Sequence, residues 1–321
     1  MIEREIDSLY TWLQSQQTVQ TFLRANYERM GDVDAETKSY ENCNAFMYYI
    51  EHGLHFYESG KKMNIIVQPV MYFYGMTHLL KALLLTKRPN YPETTKVLAH
   101  GVSSRKRKKQ NYTFIEDEVK VQHNGLFPYF SQHLFGMTNL STKKYKMHTL
   151  LSLIPEMHSL FLWADQQQLI EIGTADCQFL TFPTDVLDHY HLTESAFLQR
   201  LTRYLPNIID TQFSSEHISI ELSHPLHHSV GPFYIHSNNK TIYFPKKRSH
   251  FLPLTELMIH YLLLYNLSML CRYETEWWGE LIATKPDIDY PYIKHFLKHI
   301  AYKTPLLLGY ELYETYDLVM N

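Results

Sequence analysis

The chain has 321 residues, 45% of them hydrophobic and 20% charged, with 30 lysines and arginines against 33 aspartates and glutamates. That composition excludes an intrinsically disordered chain, and a formal net charge of −3 excludes a global field that would gather nucleic acid or anionic lipid. Only 11 glycines argue against a glycine-rich nucleotide fold, and three scattered cysteines (Cys43, Cys177, Cys271) without a CxxC argue against a disulfide framework or structural zinc and for a reducing cytoplasm.

The N-terminus is acidic and amphipathic, with neither the basic nor the apolar region of a signal peptide. Ile2 to Tyr27 has helical spacing at Leu9, Leu13, Phe22 and Leu23, interrupted near Gln16 to Thr18, so two short helices or one bent one are expected. Asp32 to Ser39 reads as a polar loop. Tyr40 to Ser59 reads as a helix with Phe46, Met47, Ile50, Leu54 and Tyr57 as its stripe, ended by Gly60, Lys61 and Lys62. Pro69 opens a strongly apolar helix to Leu85, and Lys87-Arg88-Pro89 closes it.

Ala99 to Gln110 reads as a loop carrying five consecutive basic residues, Arg105 to Lys109. Beyond it, His123-Asn124-Gly125 between apolar stretches predicts a hairpin turn. Thr142 to Ala164 returns to helical spacing with a kink at Pro155. Strands are expected at Phe179 to Phe182, Ile218 to Leu222, Phe233 to His236 and Ile242 to Phe244, with a turn at Asn238-Asn239-Lys240. Thr193 caps a helix to Leu205. After Pro253 the chain reads as helical to its end, punctuated into short helices by Pro286, Pro291 and Pro305.

The order of helices, strands and helices lacks the alternation of a doubly wound fold. The two most apolar runs, Pro69 to Leu85 and Leu254 to Leu270, are each roughly 17 residues long, at the short edge for spanning a bilayer. The first holds Gly75, His78 and Lys81, the second Glu256, His260 and Asn266, so both are expected to be central helices of a bundle and not membrane spans. The expected fold class is α+β and predominantly α-helical, with N- and C-terminal helices packed as one bundle around a mid-chain β insertion. Residues 1–100 would be the N-terminal helical part, 101–250 the mixed insertion, and 251–321 the C-terminal helical part packing on 1–100, all as one interwoven unit.

Five constellations could carry chemistry. Tyr74, His78 and Lys81 share one helical face, where Lys81 either reaches the surface or a buried carboxylate, or binds an anion. His100-Gly101 followed by Ser103, Ser104 and Arg105 is either an ordinary loop or a phosphate-binding turn. The basic run 105–109 has no interleaved aromatics and is followed by Glu116-Asp117-Glu118, which argues for a solvated loop over nucleic-acid contacts. Arg272-Tyr273 precedes Glu274, Glu276, Trp277 and Trp278. Arg272 either pairs with Glu276 one helical turn on or meets an anionic ligand. The histidine-rich stretches 188–191 and 224–228 lack helix-face metal spacing. No GxSxG, HExxH, Walker A or GxGxxG sequence occurs.

Ser39-Tyr40-Glu41-Asn42-Cys43, Phe46 to Gly53, Phe73 to Ala82, His100-Gly101 and Leu267 to Glu274 with Trp278 together resemble the YaaC family of bacterial, mainly Firmicute, proteins. The resemblance runs through nearly the whole chain. It implies a cytoplasmic protein of Gram-positive origin, and it implies no established activity. Genes of the family tend to lie beside that of IMP dehydrogenase, a pointer to purine metabolism. The helix layout also resembles HEPN domains. Their ribonucleases place a histidine four to six residues after an arginine, and no arginine here has one at that spacing.

These readings converge on a regulatory or binding protein without catalytic turnover or a cofactor, with a pocket for a phosphate-bearing ligand such as a purine nucleotide. Arg272 and Lys81 would contact the anion, His78, Tyr74 and Tyr273 would shape the pocket, and His100 and Arg105 would close over it. A protein-interaction module regulating a partner enzyme is the alternative, and a HEPN-like nucleic-acid-directed enzyme the second alternative.

Overall fold

A computed structural model describes residues 2–31, 33–104, 112–138, 140 and 142–320. In chain order the elements begin with helices α1 (Ile2–Trp12), α2 (Gln16–Met30), α3 (Ala35–Lys62) and α4 (Gln68–Lys87), strands β1 (Val102–Ser104) and β2 (Glu118–Val121), helix α5 (Leu126–Phe135) and strand β3 (Lys144–Lys146). The middle holds α6 (Met147–Leu151), α7 (His158–Trp163), β4 (Leu169–Thr174), β5 (Phe179–Pro183), α8 (Val186–Tyr190), α9 (Glu194–Leu201), β6 (Ile208–Phe213), β7 (His217–Leu222), β8 (Tyr234–Ile235) and β9 (Thr241–Pro245). Helices α10 (Glu256–Tyr273), α11 (Thr275–Thr284) and α12 (Asp289–Met320) complete it. The fold is α+β and predominantly helical; N- and C-terminal helices pack against one another, and most of the strands lie in the middle of the sequence.

One compact unit comprises residues 1–145 and 260–321. Its core is aromatic and aliphatic: Phe22, Phe46, Phe73, Met76, Leu80 and Leu83 from the N-terminal helices are buried, as are Tyr261, Leu264, Phe296 and Ile300 from the C-terminal ones. Helix α12 packs against α1, α2, α3 and α4. Helices α3 and α4 pack closely. Gly53 and Gly75 face each other there, and a Cβ on Gly75 would lie 3.1 Å from the Gly53 carbonyl oxygen. A small sheet of order β1-β2-β3 lies in the same unit, with Val102 opposite Val121 and Ser104 opposite Val119.

The second unit is residues 146–259. Two three-stranded sheets, β4-β9-β8 and β5-β7-β6, share a core of Phe182, Phe197, Phe233, Phe244 and Tyr190. Lys240, at φ 58°, makes the turn between β8 and β9. In the histidine-rich stretch 188–191, Tyr190 is buried and donates to the Pro245 carbonyl at 2.8 Å, and His191 caps α8 in the left-handed conformation.

Several local expectations are corrected. Helix α3 starts at Ala35 because Asp34 caps it by accepting the Thr37 amide, so Ala35 to Ser39 of the expected polar loop is helical. It also runs through Gly60, whose missing side chain makes room for Tyr72. The Asn-Gly step makes no hairpin. Gly125, at φ 124°, opens α5 instead, and β2 pairs upstream with β1 and, beyond α5, with β3. Thr142 to Ala164 is broken into β3, α6 and α7, with a 3-10 turn at Pro155. Strands β4 and β6 and helix α8 carry too little periodicity to be read. Pro286 does separate α11 from α12, but Pro291 and Pro305 break nothing, and Asp289–Met320 is one helix of 32 residues. Pro291 sits in the first turn, where no N–H is needed, and the Pro305 carbonyl receives the Tyr10 hydroxyl at 2.7 Å.

Candidate functional site

Helix α4 projects Tyr74, His78 and Lys81 from one face, next to the buried stripe that holds it in the core. The glycine contact with α3 brings a second row, Tyr49, His52 and Phe56, against them. The Phe56 ring stacks on His78 at 5.6 Å and 12°, His52 meets it edge-on at 5.7 Å, and Tyr49 lies at 5.8 Å. Tyr74 packs 6.2 Å from Phe56. The Lys81 ammonium lies 5.6 Å from the Tyr49 ring centroid, within reach of its face.

The far end of α10 supplies Arg272. Its Nε donates to the Ser268 carbonyl at 3.1 Å and Nη1 donates to the Tyr74 hydroxyl at 3.3 Å. The guanidinium carbon is 5.9 Å from the Tyr74 ring and 5.1 Å from the Tyr273 ring. A cation at the last turn is favoured by the helix dipole. Glu274 then breaks the helix, at φ −115° and ψ 49°, so the expected pairing of Arg272 with Glu276 on a continuing helix is not made. The tail packs elsewhere: Trp278 donates its indole N–H to the Ile66 carbonyl at 2.8 Å, and Trp277 meets Tyr112 edge-on.

His100 arrives from the segment before β1. Its carbonyl accepts the Phe127 amide at 3.1 Å and the Tyr261 hydroxyl at 2.9 Å. Its ring lies 5.0 Å from Phe73, 5.8 Å from Tyr265 and 6.5 Å from Tyr74. The backbone that places it depends on Gly101, at φ 77°, and Gly125. A Cβ on Gly125 would fall 2.4 Å from the Gly101 Cα.

Electrostatics ties these groups together. Burial, then the Lys81 and His52 charges, push the His78 imidazole down to about 4, so it is neutral at pH 7, and its buried Nδ1 has no hydrogen-bond partner. His100 is held below the ordinary histidine range by burial, then by Arg272 and by Lys81. Burial also lowers Lys81. Among the described residues, no carboxylate forms an ion pair with Lys81 or Arg272. Two half-buried cations therefore stand near aromatic faces and the His78 and His100 rings, with no ion-paired carboxylate among the described residues.

Of the residues expected at the site, Tyr74, His78, Lys81, His100 and Arg272 come together. Tyr273 is 67% exposed and covers the outer side of Arg272. Arg105 and the rest of the basic run lie outside the described residues. Tyr49, His52 and Phe56 were missed. Their spacing of three and four was a signal, hidden beside the stronger apolar stripe of α3. Among the described residues, no group of three histidines, cysteines or carboxylates converges to hold a metal.

The fold and this face define a mainly helical protein with a cationic, aromatic-lined surface formed by the middle of α4, the facing row of α3 and the C-terminal end of α10. The chain belongs to the YaaC-like family, whose model, described as YaaC-like protein, matches residues 11–312. Searches of curated proteins and of solved structures each return no match.

Proposed function

We propose that this face binds a phosphate-bearing small molecule, a purine nucleotide, and that the protein is a regulator without catalytic turnover. The observation that carries the reading is the unbalanced pair Lys81 and Arg272, half-buried and without a carboxylate partner among the described residues. Desolvating two like charges is costly unless an anion compensates them, and phosphate oxygens match a guanidinium well. The Phe56 and Tyr49 rings beside the cations offer planes on which a base can stack. The free cysteines Cys43, Cys177 and Cys271 support a cytoplasmic setting. Among the described residues no helix is long and apolar enough to cross a membrane.

The test is thermal unfolding against adenosine and guanosine mono-, di- and triphosphates and alarmones. A nucleotide at about 100 times its Kd adds about 2.7 kcal/mol to native stability, a shift of a few degrees. Arg272→Ala should abolish that shift while the unliganded protein still melts cooperatively. No shift across the panel, or an Arg272→Ala protein that is simply unfolded, sinks the reading.

A second reading, docking of a partner enzyme, draws on the exposed Met63, Ile66 and Val67 at the α3–α4 turn and on exposed Tyr273. Co-purification of one stoichiometric partner, lost on Ile66→Asp, would favour it.

A further inference from the structure

The N- and C-terminal helices of the first unit border an open concavity that the proposed nucleotide face does not use. Three contacts set α12 close against α1. The Tyr10 hydroxyl donates to the Pro305 carbonyl, Gly309 lets Ile6 approach to where a Cβ would be 2.3 Å away, and Tyr313 donates to the Glu5 carboxylate. Residues 305, 309, 313 and 316 follow one another along a face of α12. Beside that seam lies a pocket of about 410 Å³ whose lining includes Arg4, Glu5, Trp12, Tyr313 and Tyr316, with Leu9 and Ser8 between them.

Its chemistry is specific. The Trp12 and Tyr316 rings meet edge to face at 5.3 Å and 76°. Phe22 buttresses Tyr316 from the core at 6.0 Å. Glu5 adds a carboxylate, kept at the wall by Tyr313, and Asp317 is near enough to act on the same phenol. Aromatic faces with an adjacent carboxylate suit a quaternary ammonium, which has no N–H to donate and is held by attraction of its charge to ring faces. Arg4, in the same lining, makes no ion pair among the described residues. A simple cation would leave Arg4 unmatched and partly repelled, whereas a ligand that also carries a carboxylate would use it.

We propose that this pocket binds a small zwitterion, a quaternary ammonium in the box of Trp12, Tyr313 and Tyr316 beside Glu5, with its carboxylate on Arg4.

The experiment is titration calorimetry of the full chain with glycine betaine, tetramethylammonium and the uncharged isostere 3,3-dimethylbutan-1-ol. Glycine betaine should bind saturably, and the uncharged isostere about tenfold or more weaker. Arg4→Gln should weaken glycine betaine several-fold and leave tetramethylammonium unchanged or tighter. Trp12→Ala should abolish binding of both. Glu5→Gln, which keeps the wall's shape, should weaken both and guards against a Trp12 variant that fails to fold. No saturable binding of glycine betaine overturns the proposal. So does an uncharged isostere that binds equally well, which would make the pocket merely apolar. An Arg4→Gln protein with unchanged affinity for glycine betaine overturns the assignment of the carboxylate.

Discussion

Gly75→Ala and Gly279→Ala make the same chemical change in two helices of one unit and should have opposite effects. At Gly75 the new methyl would sit 2.8 Å from Tyr57 Cδ2, 2.9 Å from Cε2 and 3.1 Å from the Gly53 carbonyl. Tyr57 is only 1% exposed and stacks on Tyr72 at 5.3 Å, so its ring has no free space to enter. Overpacking of this kind costs about 1–3 kcal/mol. Alanine regains about 1 kcal/mol of helix propensity, which leaves a net loss of about 0–2 kcal/mol, and two atoms of the confined Tyr57 ring under 3.0 Å from the new methyl put it at the upper end of that range. At Gly279, inside α11, nothing lies within 4 Å of the added methyl. The propensity gain stands alone there, about 0.5–1 kcal/mol of stabilisation. Urea unfolding followed by tryptophan fluorescence measures both. The close α3–α4 packing would be refuted if Gly75→Ala were as stable as the parent. Because that contact also sets Phe56 against His78, the His78 ring resonances should shift in Gly75→Ala and stay in place in Gly279→Ala.

Other predictions concern charge and the helix seam. His78, depressed to about 4 against an unfolded value near 6.5, binds its proton less readily when folded. Stability from this group is therefore full above the unfolded value and is lost as pH falls from about 6.5 towards 4, by about 1–2 kcal/mol once solvent screening of the half-buried ring is discounted. Asp289, raised to about 6 by burial, has the opposite sign and gains stability as pH falls from about 6 to 4. The comparison that isolates His78 is urea stability of the parent against His78→Phe across that window, where the variant should lose less on acidification. Lys81→Met removes one of the charges that depress His78, so its titration in proton NMR should move up, and an unmoved midpoint would place Lys81 away from the ring. Tyr10→Phe deletes the hydroxyl donated to the Pro305 carbonyl and should cost about 1 kcal/mol in thermal unfolding, with α12 still helical by circular dichroism.

What the amino-acid sequence reveals here follows the range over which its physics acts. The two apolar helices are legible because an unbroken run of large side chains has no soluble alternative to burial. The set Tyr74, His78 and Lys81 is legible because helical spacing is local, and Arg272 because a cation at the end of such a helix has few places to go. The row Tyr49, His52 and Phe56 matters only once α3 crosses α4, a contact decided by two glycines far apart in the chain. The Asn-Gly step has genuine turn chemistry, yet Leu126 and Phe127 donate to the carbonyls of Ala99 and His100, and those tertiary bonds turn it into a helix start. Pro305 has the local signature of a helix break, overridden because α12 is held along its length by α1 to α4.

The interlocking of Gly101 and Gly125 has a consequence for how this surface can change over time. Neither backbone leaves room for a side chain on the other, and Pro128 and Phe127 fill the remaining space around Gly101. No replacement at one position can be rescued by a replacement at the other, since both are already the smallest residue. The two therefore form a ratchet: once a lineage has seated His100 on this crossing, it can retune the aromatic and cationic groups around the imidazole one by one, but it cannot move the imidazole itself by small steps. Innovation on this face must come from the side chains that surround His100.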